Sequence, residues 1–194
     1  MFLRAFLFSV IAVILLLCSF AGQEFMPALN WAQGSKFILP VTVFFGLAVI
    51  VSYPVMLILA FIMGFLWDAR HLAFTVSGGD SVQGSVDLAF GYSILLFGLT
   101  GSLMQGIRPL LGRGRFELPV LMMGLVTGVW LLAEYLFLVF RRGQPEFPDT
   151  LWIKVGSTAL LALLISPIVL FALHTIARWT GYEVRYEGLS RRET

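Results

Sequence analysis

An all-α bundle that crosses a membrane several times is the fold class this sequence predicts, and three observations predict it. Of its 194 residues, 59% are hydrophobic and only 12% are charged, against about 25% charged in an ordinary soluble domain. Mean hydropathy is +0.91. The apolar residues run together in stretches close to the roughly 20 that a helix needs to cross a hydrocarbon core. These features exclude an ordinary water-soluble domain. They equally exclude a disordered chain, which is polar and poor in large side chains. One cysteine, Cys18, excludes a disulfide framework and a thiolate metal cluster. Two histidines, His71 and His174, leave little material for a zinc or haem site.

The spans follow in order. Residues 5–21 form the first, slightly short, with Arg4 placed to snorkel at its end. No charge occurs between Lys36 and Asp68. As one helix, 37–67 would run about 46 Å, well beyond a core of about 30 Å. Pro54 lies near its middle, and proline disfavours helix both at its own position and just before it. Ser52-Tyr53-Pro54 is therefore the expected turn of a hairpin with short spans at 37–52 and 55–67; a single kinked span is the competing reading. Residues 88–106, 118–140 and 155–177 are the fourth, fifth and sixth spans. Only Glu134 interrupts the fifth, and no Asp, Glu, Lys or Arg interrupts the sixth. Residues 178–194 form a basic, aromatic tail expected to lie along the anionic inner leaflet. Arg4, the apolar run after it and Ser19-Phe20-Ala21 also outline a cleaved signal, but a retained first span is the preferred reading.

Positive charge orients the chain. With six spans and the N-terminus inside, the cytoplasmic face holds Arg4, Arg108, Arg113, Arg115, Arg178, Arg185, Arg191 and Arg192. The opposite face holds Lys36, Arg70, Arg141, Arg142 and Lys154. The excess lies inside, as the positive-inside rule requires. Five spans with the N-terminus outside give the same balance. Arg4 beside the N-terminal amine favours six spans, with both termini in the cytoplasm. Trp31, Trp67, Trp152 and Trp179 fall near span borders, where an amphipathic ring is well placed; Trp130 lies within the fifth span.

Few residues offer chemistry. Glu134 lies within a span, where a carboxylate costs about 2–3 kcal/mol or more near the centre. Thr127 falls on nearly the same helix face. Gly124 and Gly128 form a small-xxx-small pair that lets a neighbouring backbone approach. This side of the fifth span is expected to serve helix packing, with Glu134 as a polar link to a neighbouring helix or a partner; a ligand or proton site is the competing reading. Asp68 reads as an interfacial cap that Arg141 and Arg142 could pair with. Arg108-Pro-Leu-Leu-Gly-Arg-Gly-Arg115 reads as a cytoplasmic anchor, with Arg108, Arg113 and Arg115 as candidates for anionic lipid head groups. Its basic surface is too small, and too close to the membrane, for nucleic acid. The loop 69–86 has glycines but no phosphate-binding pattern. No metalloprotease, paired-carboxylate or nucleophile-elbow motif occurs, so no catalytic residue, metal or cofactor is expected.

Three stretches carry a family resemblance. They are Gly64-Phe65-Leu66-Trp67-Asp68 after an apolar hairpin; Gly84-Ser85-Val86-Asp87-Leu88 continuing through Gly91, Gly98 and Gly101; and Leu132-Ala133-Glu134-Tyr135-Leu136. In order and spacing they resemble the rod shape-determining protein MreD family of bacteria, over about 37–177. The loop between Asp68 and Gly84 is longer than is usual for that family, and the tail is somewhat extended. The resemblance implies a non-enzymatic component of the cell-elongation machinery in the inner membrane. It implies MreC as partner, with MreB, RodA and a class B penicillin-binding protein around them. It further implies a fold close to the membrane substrate-binding subunits of energy-coupling-factor transporters, and a role for Asp68 and Glu134 in folding or partner contact. That fold likeness motivates the alternative function, a solute-binding or transport subunit for a small molecule.

Overall fold

The computed structural model describes residues 2–26, 37–77, 91–111, 117–142 and 148–182. Every regular element among them is helical: α1 (Phe2–Gln23), α2 (Leu39–Ile50), α3 (Tyr53–Ser77), α4 (Tyr92–Gly106), the single turn α5 (Arg108–Leu111), α6 (Glu117–Arg142) and α7 (Asp149–Trp179). Four of these, α1, α3, α6 and α7, are long and apolar enough to cross a membrane.

The shortest of the main helices holds the centre. α2 has 12 residues, about 18 Å, and Val41, Phe44, Phe45, Leu47, Ala48 and Val49 are fully buried. It touches α1, α3, α4, α6 and α7. A helix that is apolar on all sides belongs inside a bundle. Pro40 suits its first turn, where the missing amide is no loss. Around it run α1, α3, α4, α6 and α7. The closest pairs are α3 with α4 and α6 with α7.

Glycines set those two approaches. At Gly64 an added Cβ would stand 2.5 Å from the backbone nitrogen and Cα of Ile94 on α4. At Gly124 it would stand 2.8 Å from Leu163 Cβ on α7, and at Gly128 3.3 Å from Ala159 Cβ. Between α7 and α1, Tyr182 stacks on Phe8 at 4.5 Å. The chain reaches that ring through a turn in which Gly181, at φ +63°, and Tyr182 donate to the carbonyls of Arg178 and Ala177. Arg4 lies against Gly181. The start of α1 and the end of α7 therefore share one end of the bundle.

Several expected boundaries move. The hairpin turn is present: Val51 is extended at φ −74°, ψ 161°, and α3 starts at Tyr53. The two arms, however, are unequal. The second does not stop at residue 67 but runs to Ser77, so Asp68 lies inside a helix rather than at its end. The last helix starts at Asp149, six residues before the expected 155. These ends carry polar residues, which hydropathy assigns to water although the helix simply continues past the apolar part.

Candidate functional site

Two sites stand out, a cluster of polar and aromatic side chains and a set of caps on α2. The first joins α3, α4 and α6. Trp67 Nε1 donates to Glu134 Oε1 at 2.9 Å. The amide of Gly91 donates to Asp68 Oδ2 at 2.8 Å. Tyr92 donates its hydroxyl to the Ala133 carbonyl at 3.1 Å. Gly91 takes φ +102°, the left-handed conformation that favours glycine. This turn aims its amide at Asp68 and starts α4 beside α3.

Aromatic rings fill the space between these bonds. Trp67 meets Trp130 edge-on at 5.0 Å, and Phe97 lies 5.1 Å from Trp130. Tyr92 stacks on Phe137 at 3.6 Å, and Phe20 of α1 reaches Trp67 at 6.5 Å. Trp130 is fully buried, and its indole nitrogen has no hydrogen-bond partner. An orphaned donor costs about 1–3 kcal/mol. Each aromatic pair contributes about 0.5–1.5 kcal/mol beyond its burial, so the packing around Trp130 offsets the loss.

The second site is a clamp on the ends of α2. A helix leaves unpaired amides at its start and unpaired carbonyls at its end, and hydrocarbon supplies no water to satisfy them. At the N-terminal end, Gln23 donates to the Phe37 carbonyl at 3.0 Å and accepts from the Leu39 amide at 2.7 Å. At the C-terminal end, Gln105 donates to the carbonyls of Ala48 (2.5 Å) and Val51 (2.8 Å). Arg108 donates to Val51 (3.1 Å) and Ile50 (3.0 Å). A guanidinium also suits the negative end of the helix dipole.

The expected site residues divide accordingly. Asp68 and Glu134 enter one cluster, Asp68 bonding a backbone amide and Glu134 an indole. The side chains of Arg141 and Arg142 lie outside the described ones. Gly124 and Gly128 are occupied by α7, so the small-residue face of α6 is used within the chain and is not open to a partner. Thr127 is buried and donates to Met123 of its own helix at 2.6 Å. Arg108 is corrected from a lipid contact to a helix cap, because its two terminal nitrogens point at carbonyls. Arg113 and Arg115 lie outside the described residues, as do the Gly84–Leu88 stretch, Trp31 and the tail beyond 182. Trp67, expected at a membrane border, instead bonds Glu134.

Sequence reasoning passed over Gln23 and Gln105. The available signal was an uncharged polar side chain closing an apolar run, next to a span too short to satisfy its own ends. Among the described residues, no group of three His, Cys, Asp or Glu stands close enough to hold a metal ion.

No protein-family model, curated protein or solved structure matches this chain. Its functional reading therefore stands on the geometry above together with the motif resemblance.

Proposed function

We propose that this chain is a non-enzymatic scaffold of the bacterial elongation complex. In this reading it sits in the inner membrane through about six spans with both termini in the cytoplasm, and has a fold of the kind found in energy-coupling-factor substrate-binding subunits. It binds an MreC-type membrane protein and works beside MreB, RodA and a class B penicillin-binding protein to maintain rod shape and peptidoglycan synthesis.

One observation carries the reading. The first and third stretches that bear the family resemblance meet each other, and the Gly91 part of the second, at one place, although they are far apart in sequence. Gly64 receives Ile94, Trp67 bonds Glu134, Asp68 bonds Gly91, and Tyr92 bonds Ala133. A shared packing knot gives each of those residues a physical role. Its acids serve cross-helix bonds, which suits a protein whose work is to hold helices in place.

The test is co-purification in mild detergent with an MreC-type partner, combined with depletion in a rod-shaped host. Retention of the partner and rounding of the cells are expected. A purified protein that never retains such a partner, in cells that stay rods, overturns the proposal.

A further inference from the structure

The polar ends of the helices do not lie a constant distance apart around the bundle. On α1, Arg4 and Glu24 stand 20 residues apart, about 30 Å along a helix. On α7, Lys154 and Arg178 stand 24 residues apart, about 36 Å. The wall made by α3 and α4 is shorter. α4 has 15 residues, with Gly91 on the Asp68 carboxylate at one end and Arg108 just past the other. That is about 22 Å. α3 gives the same figure independently, since Tyr53 and Asp68 are 15 residues apart, again about 22 Å.

Cross-contacts show how the shortfall divides. Glu24 pairs with Arg70 at 2.7 Å, so α1 and α3 are level at Arg70. Arg4 lies against Gly181, so α1 and α7 are level at the opposite end. Arg70 lies two residues past Asp68, so about 3 Å of the shortfall lies at the Asp68 end and about 5 Å at the Arg108 end of the α3–α4 wall. There Tyr53 and Ser102 meet at 3.5 Å. A lysine or arginine caught below the head groups usually snorkels outward. Arg108 is held from doing so, because its terminal nitrogens are bound to the carbonyls of Ile50 and Val51. The outer face of this wall is apolar and exposed: Leu57, Ile58 and Phe61 on α3, and Leu95, Leu99 and Leu103 on α4.

We infer that the α3–α4 wall thins the bilayer beside it, holding lipid head groups about 22 Å apart where an ordinary hydrocarbon core is about 30 Å thick. The occupant of this face is lipid. The bilayer yields because mismatch costs little per ångström, whereas drawing the polar ends of the wall into hydrocarbon costs more. The inference rests on the chain lying in a membrane and is independent of the scaffold reading.

Nitroxide labels measure it directly. In a Cys18→Ser background, Leu95→Cys and Leu103→Cys sample α4, and Leu160→Cys and Ile168→Cys sample α7 at the same spacing. The full chain is placed in oleoyl phosphatidylcholine and phosphatidylglycerol vesicles, and depth is read from oxygen against nickel-chelate collisions. For the α4 pair, the distances to the nearest head groups are expected to sum to about 10 Å. For the α7 pair they are expected to sum to about 18 Å or more. Helix tilt lowers the first sum and raises the second, so it cannot imitate the reverse result. Should either α4 variant fold poorly, Leu99→Cys gives a separate reading: about 11 Å from the head groups in a thinned patch and about 15 Å in an ordinary one. An α4 sum near 18 Å, or a Leu99 depth near 15 Å, overturns the inference. So do α4 labels shielded from both reagents, since a protein partner would then cover the wall.

Discussion

At Gly64 one methyl group has nowhere to go, because the atoms it would meet are the backbone of Ile94 rather than a side chain that can turn away. Gly64→Ala is expected to destabilise the bundle by about 3 kcal/mol, read as a lower melting temperature in detergent. Gly98 is the internal control: it lies in the same α3–α4 pair, on a helix position with open space. Gly98→Ala should stabilise by up to about 1 kcal/mol through helix propensity alone. Equal effects at the two positions would show that packing against Ile94 is not what holds α3 to α4. The indole–carboxylate bond is tested in the same way. Trp67→Phe keeps most of the ring contacts and removes the donor to Glu134, for an expected loss of about 1–2 kcal/mol. Glu134→Gln keeps an acceptor for Trp67 and should melt within about 0.5 kcal/mol of wild type. If Glu134→Gln nevertheless loses a co-purifying partner, its charge serves an interface and not the fold.

The helices themselves were largely legible, and the reason lies in local chemistry. Pro54 and the uninterrupted apolar run on either side announced a break, and the chain turns at Val51 and Ser52. What no local pattern announced is how a 12-residue helix survives at the centre of a bundle. Its answer lies 54–58 residues further along, in Gln105 and Arg108, and 14–16 residues earlier, in Gln23. Arg108→Met should leave the Ile50 carbonyl uncapped and the Val51 carbonyl to Gln105 alone, and cost about 1–3 kcal/mol. Arg108→Lys should restore only part of this, because one ammonium cannot match the guanidinium fork. Arg108→Met and Gln105→Leu both unload the Val51 carbonyl, so their combined effect should depart from the sum of the two. Simple additivity in chemical-denaturation or thermal measurements would argue that the clamp is not a unit.

At the scale of the whole molecule, five helices surround one among the described residues, and the first and last of them begin and end side by side. The proposed topology is tested on this arrangement. In it, reporter fusions at the N-terminus, near Tyr53 and after Tyr182 should all report the same side of the membrane, expected from the positive-inside rule to be the cytoplasm. A fusion near Tyr53 that reports the opposite side would mean α2 does not return across the bundle, and the proposed count of about six spans would fall. The candidate site shows the same division between local and global information. Asp68 and Glu134 were legible because an acid among apolar residues is conspicuous in one dimension. That Trp67 and Gly91 complete their bonds was not, since these contacts join residues 67 and 23 positions apart.

By itself the sequence determined that the chain folds into apolar helices, roughly where they break, and which few polar residues lie within or beside them. Burial preference and proline act over one or two turns, so these features can be read along the line of the chain. Tertiary structure alone decided that α2 is central, that α7 fills the Gly124 and Gly128 face, and that Arg108 turns inward to a helix end. These outcomes depend on which unsatisfied backbone group or empty space a distant segment happens to meet. No single segment carries that information, because the partner exists only once the helices have packed.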